Sequence, residues 1–169
     1  MLENYQKKRD FSKTPEPKGA EKKDSESPKL KFVVQKHFAS HLHYDFRLEI
    51  GDVLKSWAVP KGPSLNPQNK RLAIQTEDHP LEYGDFKGEI PKGEYGAGRV
   101  EIWDQGEFIP KINALEQWEK GKIEFQLIGQ KLKGSWVLLR FKNEPKNWLI
   151  IKMNDEYADL GTEIADAKP

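Results

Sequence analysis

The 169-residue chain has no cysteine. That excludes a disulfide-stapled framework, a zinc site held by thiolates and a thiol nucleophile. Any metal must therefore be held by His, Asp, Glu or backbone. No apolar run approaches the roughly 20 residues that cross a bilayer as a helix. The N-terminal residues MLENYQKKRD lack a signal-type apolar stretch, so a cytoplasmic location is expected. An excess of one charge is missing as well: 28 Lys and Arg stand against 27 Asp and Glu, a net charge of +1. Nothing here argues for a bulk polyanion binder, although a local basic groove stays open. Apolar residues make up only 36 % and charged ones 33 %, which is lean for one globular domain. The shortage points to an uneven distribution along the chain.

Residues 1–30 are polar, contain Pro15, Pro17 and Pro28, and have nine basic residues up to Lys31 against six acidic ones. Such a segment has too little apolar surface to offset its ordering entropy. An N-terminal arm is expected there, extended or disordered in isolation. Residues 154–169 hold five acidic residues and one Lys. They read as a solvated acidic tail with a short helical turn near Tyr157. The compact domain falls between, at 31–153.

That domain reads as mainly β. KFVVQK, Lys31 to Lys36, suits a strand. Leu42 to Ile50 alternates, with Leu42, Tyr44, Phe46, Leu48 and Ile50 on one face and His43, Asp45, Arg47 and Glu49 on the other. Gly51-Asp52 supplies a hairpin turn and Val53 to Val59 returns. Further strands are expected at Arg71 to Thr76, Gly98 to Trp103, Glu107 to Ile109 after a turn at Gly106, Lys122 to Ile128, Leu132 to Phe141 and Trp148 to Lys152. One helix is expected at Ile112 to Lys120, with Ile112, Leu115 and Trp118 at three-residue steps. Many short strands between frequent Gly and Pro breakers favour a barrel or a sandwich over an α/β fold. The five tryptophans read as core.

The chemistry gathers in QKHFASHLHYDFRLE, residues 35–49. Three of the four histidines, His37, His41 and His43, fall within seven residues. His43, Asp45 and Arg47 recur at period 2, so on a strand they leave one face about 6–7 Å apart. A bend over Phe38 to His41 brings His37 back beside them. Two imidazoles and a carboxylate on one point suit a divalent first-row ion. Arg47 adds a planar fork matched to phosphate oxygens. An ion that polarises phosphate and lowers the pKa of bound water, beside an Arg, is equipment for phosphoryl chemistry. Two other readings share the same spacing. Asp45 and Arg47 can form a plain surface ion pair worth about 0–1 kcal/mol. H-x-D with a remote His79 is also the facial triad of non-haem iron oxygenases.

His79 stands before Pro80, which favours an extended backbone in a loop, and Tyr83 follows four residues on. Lys61 sits in a Pro/Gly turn, either over the site or simply in solvent. Glu89 to Gly98 is Gly-rich but no G-K-[ST] follows, so it reads as a backbone-defined turn beside the barrel and not as a P-loop.

Taken together, Gln35-Lys36-His37, Ala39-Ser40, Leu42 to Glu49, Leu54 to Pro63, Arg71, Glu77-Asp78-His79-Pro80, Tyr83 and Gly88 to Gly96 closely resemble the 3′-phosphoesterase domain of bacterial and archaeal DNA ligase D. The arm residues YQKKRDFSKTPEP, Tyr5 to Pro17, share the resemblance, which covers about residues 5–150. It implies a small closed β-barrel with one or two short helices and an N-terminal arm. It implies a manganese site, or one for cobalt or zinc, on His37, His43 and Asp45. Arg47 and His79 match phosphate-contacting residues and Tyr83 a neighbouring tyrosine. Gln35, Lys61 and Arg71 match further polar groups of the site, and Arg9, Asp10 and Glu16 match arm residues used for activity. The arm is thus expected to contribute to the site, against its composition. His41 stands where the family pattern has a basic residue and is not taken as a ligand.

The implied activity is 3′-end healing of DNA or RNA-tipped DNA. A 3′-terminal ribonucleoside is removed first, then the 3′-phosphate, leaving a 3′-OH. The chain carries no K-x-D-G nucleotidyl-transfer motif. The expectation is therefore a monomeric enzyme working with a separate ATP-dependent ligase and a Ku-like protein, away from membranes. A DNA-end-binding module without turnover is the alternative.

Overall fold

The computed structural model describes residues 2–19 and 29–161. Its strands are β1 (Leu30–Phe38), β2 (Leu42–Ile50), β3 (Val53–Val59), β4 (Arg71–Gln75), β5 (Gly88–Ile90), β6 (Gly98–Pro110), β7 (Lys122–Ile128), β8 (Lys133–Arg140) and β9 (Asn147–Lys152). The helices are α1 (Glu3–Lys7) and α2 (Ala114–Lys120), with a 3-10 turn at Leu81–Asp85. The sheet runs β1-β2-β3-β4-β9-β8-β7-β6, and β6 pairs back onto β1. Eight strands therefore close a barrel, and β5 hangs on the start of β6 as a ninth.

Alternation builds the wall. Phe32 and Val34 on β1 and Tyr44, Phe46, Leu48 and Ile50 on β2 turn inward, joined by Trp57, Phe125, Trp136, Trp148 and Ile150. Full burial of each aliphatic or Phe side chain is worth about 1.5–3 kcal/mol before entropy is counted. β1 departs from simple alternation because Phe32 to His37 are buried without a break. Its second face is covered from outside by the 3-10 turn, β5 and the arm. Tyr5, Leu54, Tyr83, Phe86, Ile90 and Val100 form a separate apolar cluster there.

Four expectations are corrected. Gly106 is no turn: β6 is continuous from 98 to 110, and β1 pairs across it with a bulge that leaves Trp103 out of register. Glycine is required at 106 because a Cβ would collide with the Ile128 carbonyl oxygen of β7. Glu89 to Gly98 is a turn only in part, since its first residues belong to β5. The helix starts two residues late, where the Asn113 side chain caps it by accepting from Glu116 N at 3.0 Å. Ile112 and Leu115 consequently face solvent, while Ala114 and Gln117 are buried. Tryptophan burial is uneven: Trp57, Trp136 and Trp148 are sealed, whereas Trp103 and Trp118 only pack against the core edge.

The N-terminal segment departs from its composition as well. Residues 2–19 hold α1 and lay a fully buried Tyr5, together with Thr14 and Glu16, against the outer cluster. The few aromatic residues of the segment, Tyr5 and Phe11, supply its grip. At the other end, 154–161 runs in turns and bends back on the Leu65 loop through Asp159 N and the Leu160 carbonyl. Residues 162–169 lie outside the described residues.

Candidate active site

The β1–β2 register decides the site. His37 lies directly across from His43, Gln35 from Asp45 and Val33 from Arg47. Directly opposed residues share a face, and these belong to the outer face, opposite to Val34, Phe46 and Tyr44. The cluster therefore sits on the outside of the barrel wall, beneath the arm and the segment 77–98.

His37 Nδ1 is 3.4 Å from Asp45 Oδ2, and His43 Nε2 is 3.1 Å from Asp45 Oδ1. Ligand atoms of the three residues all lie within 4.8 Å of one another. The far nitrogens are pinned. His37 Nε2 donates to the Gly96 carbonyl at 2.6 Å and His43 Nδ1 to the His41 carbonyl at 3.1 Å. Carbonyls only accept, so in the neutral rings the lone pairs of His37 Nδ1 and His43 Nε2 face the carboxylate. Backbone partners that orient ligating imidazoles in this way are a usual second layer of metal sites. Gly96 is needed for that approach: its φ is +74°, and a Cβ there would stand 3.4 Å from His37 Cε1.

Burial alone would raise the Asp45 pKa, but the Arg47 charge and the hydrogen bonds that the His37 and His43 rings give it in their protonated form outweigh it and hold the carboxyl far below its ordinary range. For His43, burial lowers the pKa, yet the hydrogen bond and charge of Asp45 win and raise it. A carboxylate with two imidazoles and no sulfur is a donor set that could hold Mn²⁺, Co²⁺ or Zn²⁺.

Arg47 lies beside this group, its Nη2 3.5 Å from Asp45 Oδ2. Its Nε donates to Gln35 Oε1 at 2.6 Å, and Gln35 Nε2 donates to the carbonyls of Tyr83 at 2.7 Å and Phe86 at 3.0 Å. Gln35 thus ties the arginine to the 3-10 turn. The guanidinium stacks 4.8 Å from the Tyr83 ring centre. Its Nη1 is buried and has no hydrogen-bond partner among the described residues. An orphaned guanidinium nitrogen costs free energy, and a phosphate oxygen would satisfy it.

His79 is buried between the rings of Tyr5 and Tyr83, 5.0 and 4.7 Å away. Its Nδ1 donates to the Glu77 carbonyl at 2.9 Å, which leaves Nε2 as the acceptor. Burial, then the charges of Arg47 and Arg9, push its pKa well below the ordinary imidazole value. Tyr83 donates to Glu16 Oε2 at 2.6 Å, and Arg9 Nε donates to the same oxygen at 3.0 Å. Arg9 Nη1 also reaches Glu77 Oε2 at 3.1 Å, and Thr14 Oγ1 donates to Glu16 Oε1 at 2.9 Å. The Tyr5 hydroxyl donates to the Pro17 carbonyl and closes the arm on itself.

The remaining residues singled out from sequence lie further from this cluster. Asp10 is exposed and accepts from Ser12 N and Oγ, shaping a turn of the arm. Arg71, on β4, donates to the Lys61 carbonyl at 2.9 Å and so braces the turn that carries the exposed Lys61. That turn follows Val59, which pairs with Tyr44, at the His43 end of β2. Glu77, Gly96 and Tyr5 had been given no role of their own. Their sequence signals were the segments Glu77-Asp78-His79-Pro80 and Gly88 to Gly96 and, in the arm, two aromatic residues, Tyr5 and Phe11, among polar ones.

Fold and site together define a β-barrel protein with a candidate two-histidine, one-carboxylate metal centre and a buried arginine on its outer wall. A family model described as the DNA ligase D 3′-phosphoesterase domain matches residues 35–140, and the chain belongs to that family. It is 51 % identical over 156 residues to the multifunctional non-homologous end joining protein LigD of Pseudomonas aeruginosa, covering 91 % of this chain and 19 % of that protein. Identity is 45 % over 165 residues with the protein of the same name from Mycolicibacterium smegmatis, covering 92 % and 21 %. It is 43 % over 155 residues with the multifunctional non-homologous end joining DNA repair protein LigD of Mycobacterium tuberculosis, covering 92 % and 20 %. The chain thus spans about a fifth of the length of the curated relatives it matches.

Proposed function

We propose that this chain is a manganese-dependent phosphoesterase of DNA 3′ ends. It removes a 3′-terminal ribonucleoside and then the 3′-phosphate, leaving a 3′-OH for ligation. The single observation that carries the reading is the buried Arg47, its Nη1 without a hydrogen-bond partner among the described residues and its Nη2 3.5 Å from Asp45 Oδ2, set beside two imidazoles that converge on the same carboxylate. That combination suits a tetrahedral dianion better than the co-substrate of an iron oxygenase, and family membership supports the same choice.

His37, His43 and Asp45 would hold the ion. When bound, a divalent cation supplies Lewis-acid polarisation of phosphate oxygen and a lowered pKa for water. The chain's own residues do the rest. Arg47 donates Nη1 to a non-bridging oxygen and neutralises charge as it develops. Gln35 and the Tyr83 ring fix its plane, so little reorganisation is needed. His79 is neutral and presents Nε2 as an acceptor, so its role is to take a proton from the attacking water. In the diester step the same nitrogen, once protonated, returns a proton to the leaving oxygen. Arg9, Glu16 and Glu77 hold the arm and Tyr83 in place over this face. Lys61 and Arg71 serve the rim at the His43 end, and Asp10 shapes the arm. The partners proposed are DNA or RNA-tipped DNA 3′ ends, a separate ATP-dependent ligase and a Ku-like protein. Contacts to the DNA backbone make binding weaken as salt rises.

The test is release of inorganic phosphate from a 3′-phosphate duplex with Mn²⁺. Turnover that EDTA abolishes and His43→Ala removes is expected. Binding without product would favour an end-binding module, and full turnover in EDTA would overturn the metal reading.

A further inference from the structure

We propose that Tyr95 is the stacking platform for the base at the 3′ end of the bound strand, with Lys8 beside the ring supplying charge. The inference rests on the phosphoesterase reading and adds to it what grips the nucleoside. Tyr95 lies in the turn between β5 and β6. Its neighbour Gly96 gives the carbonyl that orients His37 at 2.6 Å, so the ring stands one residue from the candidate metal ligands. Even so it is 48 % exposed and belongs to neither apolar cluster. Among the described residues only Tyr157 is an equally exposed aromatic, and it lies on the C-terminal segment beside Asp155.

Packing does not account for an aromatic ring held out at this place. Two cations of the arm attend it. Lys8 Nζ is 4.8 Å from the ring centre and 3.5 Å from the hydroxyl, and Arg9 Cζ is 5.2 Å from the ring centre. Both cations also pair with Glu77, at 3.2 and 3.1 Å, so the arm, the loop before His79 and the Tyr95 turn are tied together. Arg9 is buried and held by Glu16 and Glu77, so it steadies one side of the ring, while the exposed Lys8 is the cation a backbone phosphate would reach; an exposed ring beside such a cation is the arrangement that holds single nucleotides without reading sequence. With the terminal phosphate on Arg47, a base on Tyr95 would set which end of the strand reaches the candidate metal centre.

The test uses an oligonucleotide ending in 2-aminopurine 3′-phosphate, bound without metal and followed by fluorescence. Wild type and Tyr95→Phe should quench the base on binding. Tyr95→Ala should not, and its Kd should rise about tenfold, within the usual range for one lost base stack. A second arm compares KM with Mn²⁺ for base-bearing and abasic 3′-phosphate ends. Wild type should prefer the base-bearing end, and the preference should collapse in Tyr95→Ala. Equal quenching by wild type and Tyr95→Ala, or an equal KM preference, overturns the inference. A wild type that quenches through Tyr95 but turns nothing over would sink the phosphoesterase reading and leave the platform standing.

Discussion

Asp45 stays ionised at a nearly sealed position only because Arg47 and two imidazoles surround it. Asp45→Asn keeps its shape and removes its charge. Mn²⁺ affinity, measured by calorimetry, should fall by about 10²-fold or more, since even outer partners of ligands contribute 10–100-fold. A variant that still binds Mn²⁺ as wild type does would remove Asp45 from the ligand set. His79 gives a second prediction, about pH. Its folded pKa lies well below the unfolded value near 6.5, so between the two values the unfolded chain binds more protons. Its contribution to stability is whole above pH 6.5 and is lost as pH falls toward the folded pKa. His43 works the other way: its raised pKa contributes fully below 6.5 and fades as pH rises through the folded value, so it does not offset the loss on acidification below 6.5. In EDTA the melting temperature should therefore fall on acidification from pH 6.5, and His79→Asn should flatten that slope. An unchanged slope would show that His79 titrates freely.

The arm and the barrel differ in what holds them. The barrel core is closed by eight strands, whereas the arm docks through Tyr5, Phe11 and the Arg9–Glu16–Glu77 network. Deleting residues 1–19 should leave the β-type circular dichroism intact while exposing Leu54, Tyr83 and Phe86 to a hydrophobic dye. Phosphate release should drop because Tyr83 loses its Glu16 acceptor. Loss of cooperative unfolding would show instead that the arm belongs to the same folding unit. The arm was the least legible element, since composition averages over thirty residues and hides two anchoring rings. The strands were legible wherever one face meets the core, as in 42–50. Gly106 misled because a glycine demanded by close approach of β7 looks, in sequence, like a glycine demanded by a turn. The spacing of His43, Asp45 and Arg47 gave their common face. That His37 joins them was expected from a bend over Phe38 to His41, and the hairpin register pairs it with His43; the orphaned nitrogen of Arg47 depends on what the 3-10 turn covers, which spacing does not carry.

For the intact protein, a ligand that binds only the folded state raises stability by about 2.7 kcal/mol at a hundredfold excess over its Kd. Mn²⁺ at that excess should raise the melting temperature by about 5–11 °C for a chain of this size, and Asp45→Asn should abolish the shift. An equal shift in the variant would place the ion elsewhere.

Because β1 and β2 present chemistry on one side and hydrocarbon on the other, a slip of their pairing by one residue would exchange the two sets. With β1 held in place, Asp45 and Arg47 of β2 would be driven into the lumen, away from His37, while Phe46 and Leu48 met water. A lineage carrying this wall can therefore change its ligands by substitution, but a single-codon insertion or deletion between 32 and 48 would cost foldedness and activity in the same event.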